Sequence, residues 1–100
     1  TMTQPAPWQV LLESGAPEVM KAATATRESV MPDGALSNKT KTLMTMLCDA
    51  LLGHDGGVAT IANRARAAGA SEEEIAETVG VAFLMGGLPA LVTGSNAFKK

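Results

Sequence analysis

Ser71 stands three residues before Glu74, and an apolar stripe begins immediately after the pair. This spacing is that of a capping box, in which two side chains satisfy free backbone N–H groups at a helix start. Glu72, Glu73 and Glu74 also place negative charge at the positive end of the helix dipole. Behind them Ile75, Thr78, Val79, Ala82 and Phe83 fall on one face of a helix. A half-buried strand would alternate with period two, and this segment does not.

The same grammar runs through the rest of the chain. Ser37 reads as a second N-cap. Leu43, Leu47, Ala50 and Leu51 then recur at helical spacing, with Met44 and Cys48 alongside, and Gly53 ends the helix. His54-Asp55-Gly56-Gly57 is expected as a short connection. Val58 to Ala68 is expected as the next helix, stopped by Gly69. Gly86-Gly87 should break the chain, and Pro89 suits the first turn of a last helix.

Upstream, residues 1–7 read as a flexible lead-in. Trp8, Val10, Leu11 and Leu12 open a short docking helix, punctuated by Gly15 and Pro17. A further helix is expected over Glu18 to Val30, with Val19, Met20, Ala23 and Val30 near one face. Met31-Pro32-Asp33-Gly34 supplies a turn.

Composition agrees with an all-α class. Alanine, the best helix former, provides 17 of the 100 residues, whereas only three are aromatic and Val and Ile together number nine. A chain of this length is one structural domain at most, divided into an N-terminal extension with a first helix at 1–33 and a main domain at 34–100. The charged share of 18% is low for a monomer that must cover itself with polar groups, which fits apolar surface shared between subunits.

Several function classes drop out. One cysteine excludes an intrachain disulfide framework and a Cys-cluster zinc site. A net charge of −2 with no basic stripe gives no footprint for nucleic acid. No secretory signal is visible, and the apolar run Val79 to Val92 is short for a bilayer and interrupted by glycine and proline. The expectation is a cytoplasmic protein with no membrane or nucleic-acid partner. Gly56-Gly57 and Gly86-Gly87 match no phosphate-binding loop, so no cofactor is expected, and both pairs read as helix breaks or close-packing points. The six methionines read as adaptable core, and Lys39, Lys41, Lys99 and Lys100 as solvated charges.

Two side chains could carry chemistry. Cys48, within the helix after Ser37, reads as a small buried hydrophobe or as a redox thiol. His54 is the only histidine, at a helix end. It either serves the helix dipole or acts as a general acid/base oriented by Asp49 or Asp55. These three residues could in principle hold a metal, but their spacing is not diagnostic and no metal is expected.

Residues from about 34 to 98 resemble a known family. The run from Gly34 to Lys41, the segment Ala65-Arg66-Ala67-Ala68-Gly69-Ala70-Ser71-Glu72-Glu73-Glu74-Ile75 and the stretch from Ala76 to Val92, with its Met85-Gly86-Gly87-Leu88-Pro89, carry the likeness. They are similar to the carboxymuconolactone decarboxylase / alkylhydroperoxidase D (AhpD-like) domain. The resemblance implies an orthogonal bundle of five to six helices, assembled into homotrimers or homohexamers through shared helices. It also implies a peroxiredoxin-type or decarboxylase activity.

The positions that would carry that activity have changed. In the AhpD-like branch a C-x-x-C-x-x-x-H motif supplies two cysteines and a histidine. Against it His54 stands at the first cysteine, Gly57 at the second and Ile61 at the histidine. Thr42 matches a proton-relay glutamate, and Thr93 matches a tyrosine near the end of the pattern. A dithiol cycle needs two sulfurs within reach.

Three readings follow. In the first, the chain is a non-peroxidatic homo-oligomer with a small-molecule pocket near Thr42, His54, Gly57 and Ile61. In the second, it is an enzyme with rebuilt acid/base chemistry at His54, acting on a lactone, a quinone or a small carbonyl compound. In the third, it keeps a residual thiol role through Cys48.

Overall fold

The computed structural model describes residues 5–100; the part of the expected lead-in at 1–4 lies outside them. Among the described residues the secondary structure is helical throughout: α1 (Pro7–Gly15), α2 (Pro17–Val30), α3 (Asn38–Leu51), α4 (Asp55–Ala67), α5 (Glu72–Gly94) and a closing 3-10 turn (Ser95–Phe98). The chain divides into two compact units, Thr1–Pro32 and Asp33–Lys100.

In the first unit α1 and α2 pack on each other, each opening with proline at its first position. The Ala6 N–H donates to Gln9 Oε1 at 2.8 Å, which closes the start of α1. Neither helix buries a residue.

The second unit is built on α3, which packs against both α4 and α5. Its N-cap is Ser37, whose Oγ accepts from the Thr40 N–H at 3.0 Å. The expected capping box is present at α5: the Glu74 N–H donates to Ser71 Oγ at 3.1 Å, and the Ser71 N–H donates to Glu74 Oε1 at 2.9 Å. Met46, Val58 and Ile75 fill the centre of the core. Alanines 50, 62, 65 and 82 line it, letting helix backbones approach closely.

The core face of α3 differs from the sequence expectation. Thr42, Met46 and Ala50 are buried, Leu43 and Leu47 are half-buried, and Leu51 and Met44 are exposed. The helix is apolar on two sides, so periodicity alone picks the wrong one as centre. Phe83 on α5 is likewise exposed, although Ile75, Val79 and Ala82 of the same stripe are buried. Helix α4 begins at Asp55 instead of Val58. His54 is its N-cap, and the His54 carbonyl accepts from the Val58 N–H at 2.9 Å. The two glycines therefore form part of the first turn, where Asp55 favours the helix dipole.

Helix α5 is folded back on itself. The stretch Glu72–Phe98 is long and apolar enough, by length and composition, to cross a membrane. Gly87, however, has φ 72° and ψ −163°, which breaks the helix there. A Cβ on Gly94 would lie 3.0 Å from Val79 Cγ1. In a straight helix these residues would stand about 22 Å apart along the axis. The break thus makes two packed arms, each shorter than the ~30 Å a bilayer core requires.

A candidate Asp–His site at the α3–α4 turn

The turn between α3 and α4 sets the only histidine beside a carboxylate. Gly53 takes φ 78°, the left-handed conformation in which glycine meets no Cβ penalty. The His54 N–H then donates to the Asp49 carbonyl at 2.9 Å, and the Gly53 N–H to the Ala50 carbonyl at 3.4 Å. These two bonds are those of a Schellman helix end, which brings the third-last helical residue against the second residue past the cap. Here those residues are Asp49 and His54.

Their side chains meet as their backbones do. His54 Nδ1 lies 3.0 Å from Asp49 Oδ1. An ionised carboxylate only accepts, so Nδ1 carries the shared proton and the neutral ring keeps its lone pair on Nε2. The His54 side chain is 57% exposed and that of Asp49 21%. The pair is therefore anchored at its carboxylate end and open to solvent at its imidazole end, the arrangement an acid/base histidine needs.

Gly57 completes the cluster from the first turn of α4. A Cβ there would lie 2.7 Å from Asp49 Oδ2, 2.9 Å from Asp49 Cγ and 3.2 Å from His54 Cβ. The Asp49 carboxylate occupies the space a side chain at position 57 would use.

The other sequence candidates take no part in the Asp49–His54 bond. Cys48 is exposed on α3, not the buried small hydrophobe its apolar neighbours suggest, because it falls on the outward side with Met44. Asp55 is exposed at the start of α4, and the imidazole partner is Asp49. Among the described residues no three His, Cys, Asp or Glu side chains gather as a metal site. Thr42 is buried and donates its hydroxyl to the Asn38 carbonyl at 2.8 Å; Ile61 belongs to the core. Two surface grooves stand out, and neither is lined by Thr42, His54, Gly57 or Ile61.

The carboxylates held below their ordinary range belong to the scaffold. Glu74 is held below its ordinary range first by the Ser71 backbone N–H and then by Lys39, whose Nζ lies 2.9 Å from Glu74 Oε2. Lys39 is thus paired, not merely solvated. Glu72 is lowered by its hydrogen bonds to Arg66, whose Nε and Nη2 donate at 2.7 and 2.9 Å. Arg66 Nη2 also donates to the Ala97 carbonyl at 2.8 Å, which ties α4 to the closing 3-10 turn.

Sequence reasoning missed that Asp49 caps the bare Gly57. The readable signal was the helix-ending Gly53, which sets Asp49 against His54 five residues on.

The family model "Carboxymuconolactone decarboxylase family" matches residues 17–100. A solved carboxymuconolactone decarboxylase family protein from Legionella pneumophila is 29% identical, with a TM-score of 0.84 over 90% of this chain and 80% of its own. A second structure of carboxymuconolactone decarboxylase type, from Burkholderia xenovorans LB400, is 26% identical, with a TM-score of 0.86 over 93% of this chain and 74% of its own. No match emerges among the curated proteins.

Proposed function

Because this chain belongs to the carboxymuconolactone decarboxylase family, we propose that it is a non-peroxidatic member: a homotrimer or homohexamer that keeps the helical scaffold and runs no dithiol cycle. In this reading the small-molecule pocket near Thr42, His54, Gly57 and Ile61 is entered only from the exposed His54 side, because Thr42 and Ile61 are buried and neither surface groove reaches these residues. One observation carries this reading. At the position that resembles the family's reactive cysteine, Gly57 has no side chain, and the Asp49 carboxylate would sit 2.7 Å from any Cβ. The single thiol, Cys48, stands on α3 and has no second sulfur in the chain to pair with.

The test is a hydroperoxide assay with a dithiol reductant, run beside sedimentation analysis. Consumption no faster than in buffer, from an assembled protein, is the expected result. Turnover that Cys48→Ser abolishes would establish the residual thiol role instead.

The Asp49–His54 bond favours a second reading. With Nδ1 held at 3.0 Å by the carboxylate and the ring exposed, Nε2 is available to take a proton from a carbon next to a carbonyl. The substrate class is a lactone, a quinone or another small carbonyl compound. Deuterium exchange into such compounds, monitored by NMR and lost in His54→Gln, supports it; equal exchange in the variant removes it.

A further inference from the structure

The cations of the second unit gather at one end. They are Lys39, Lys41, Arg64, Arg66, Lys99 and Lys100. Lys39 pairs with Glu74 and Arg66 with Glu72, so the start of α3, the end of α4 and the start of α5 lie together. Lys100 joins Arg66 there in lowering the Glu72 carboxyl. The Asp49–His54 site lies at the other end. Along the helices Lys41 stands about 12 Å from Asp49 and Arg64 about 15 Å from His54. Both separations exceed the Debye length of about 8 Å at physiological ionic strength, so neither cation offsets charge at the site.

What remains at the site is negative. The turn carries Asp49 and Asp55 and no cation. The negative end of α3 and the positive end of α4 meet there, each worth about half a charge, and offset one another. Asp55, in the first turn of α4, already supplies the anion that this helix end favours. A substrate carboxylate brought to His54 would meet two like charges and no partner.

The surroundings are otherwise apolar. Leu51 and Leu52 immediately precede Gly53 and His54, and both are exposed, Leu52 at 68%. The break in α5 rests against them, since a Cβ on Gly86 would lie 2.7 Å from Leu51 Cδ2. Met85 and Leu88, on either side of the Gly86-Gly87 pair, are exposed as well. From Thr78 to Phe98 the chain holds no charged residue. An apolar surface therefore starts two residues from the imidazole and runs onto the α5 break. It offers no hydrogen bond to a substrate charge of either sign.

We infer that the Asp49–His54 site takes an uncharged carbonyl compound whose apolar substituent lies on Leu51, Leu52 and the α5 break, and that it rejects a carboxylated one. This rests on the acid/base reading above and names its substrate class. His54 Nε2 takes a proton from the carbon beside the carbonyl, and the C–H electron pair passes to the carbonyl oxygen as an enolate. In heavy water the ring proton exchanges, and return of a deuteron to the carbon restores the ketone.

Deuterium exchange at neutral pH into a matched set of ketones tests it, each rate divided by that in buffer alone. Methyl propyl ketone and levulinate share one carbon chain and differ in a terminal methyl against a carboxylate. Acetone and methyl heptyl ketone vary the apolar tail. The rate should rise from acetone through methyl propyl ketone to methyl heptyl ketone, by about tenfold or more overall. Levulinate should fall several-fold below methyl propyl ketone. Leu52→Ser should shrink the tail preference, and Asp55→Asn the levulinate penalty. Shifts of the His54 ring resonances with the same compounds report binding without turnover.

Exchange that His54→Gln abolishes, but that lacks either the tail preference or the levulinate penalty, overturns the substrate class and leaves the acid/base reading intact. No exchange, with ring shifts that follow the expected order, removes the acid/base reading and supports the same class as ligand. Exchange and ring shifts that respond to no ketone, or to levulinate best, overturn the substrate class.

Discussion

Val79 and Gly94 touch across a helix break, with Val79 Cγ1 3.0 Å from where a Gly94 Cβ would be. Two arms of α5 therefore pack so closely that a methyl at position 94 would require the Val79 side chain to give way. Gly94→Ala should destabilise the protein by about 1–2 kcal/mol, the cost of overpacking being partly offset by better helix propensity. In a Val79→Ala background the same change should be neutral or stabilising. A double-mutant cycle by urea denaturation checks this, and additive effects would show that the arms are not in contact.

Gly80 and Gly87 sit seven residues apart on α5 and should respond to alanine with opposite sign. Gly80 is exposed within the helix, and its added Cβ meets nothing within 4 Å. Gly80→Ala should stabilise by up to about 1 kcal/mol. Gly87, at φ 72° and ψ −163°, occupies a region essentially restricted to glycine. Gly87→Ala should cost about 1–3 kcal/mol, read as a lower midpoint in thermal unfolding.

Gly57→Ala should displace the Asp49 side chain and break its bond to His54. The expected sign is a change in the His54 ring resonances by NMR, matching the change seen in Asp49→Ala. Unchanged ring resonances in Gly57→Ala would mean that the first turn of α4 can yield without moving the carboxylate.

The acid limb of stability should depend on Glu74 and Glu72. Both carboxyls are lowered in the folded protein, Glu74 first by the Ser71 N–H and Glu72 first by Arg66. A group lowered on folding adds stability above its unfolded pKa and loses it as the pH falls through the folded value. Wild type should therefore exceed Glu74→Gln in stability at neutral pH, and the two should converge in acid. Denaturation series at pH 7 and pH 3 make the comparison. The half-buried pair with Lys39 makes part of the difference sensitive to salt.

Local signals were legible and long-range ones were not. Ser37, Gly53 and the Ser71–Glu74 pair act within a few residues, so their roles could be read directly. The family likeness of residues 34–98 likewise named the fold correctly. The inward face of α3 could not be read, because Met46 and Met44 are chemically alike and only packing against α4 and α5 distinguishes them. Phe83 misled for the same reason, being apolar on a side that this chain does not itself cover. At the candidate site, Asp49 and His54 could be named as partners. Gly57 could not be placed beneath the carboxylate, because that contact depends on where α4 starts after the turn.

The crowding above Gly57 also makes position 57 a lever on the Asp49 side chain. Any side chain introduced there arrives where the carboxylate sits. The carboxylate must turn aside to admit it, and the hydrogen bond to His54 is the contact that turning gives up.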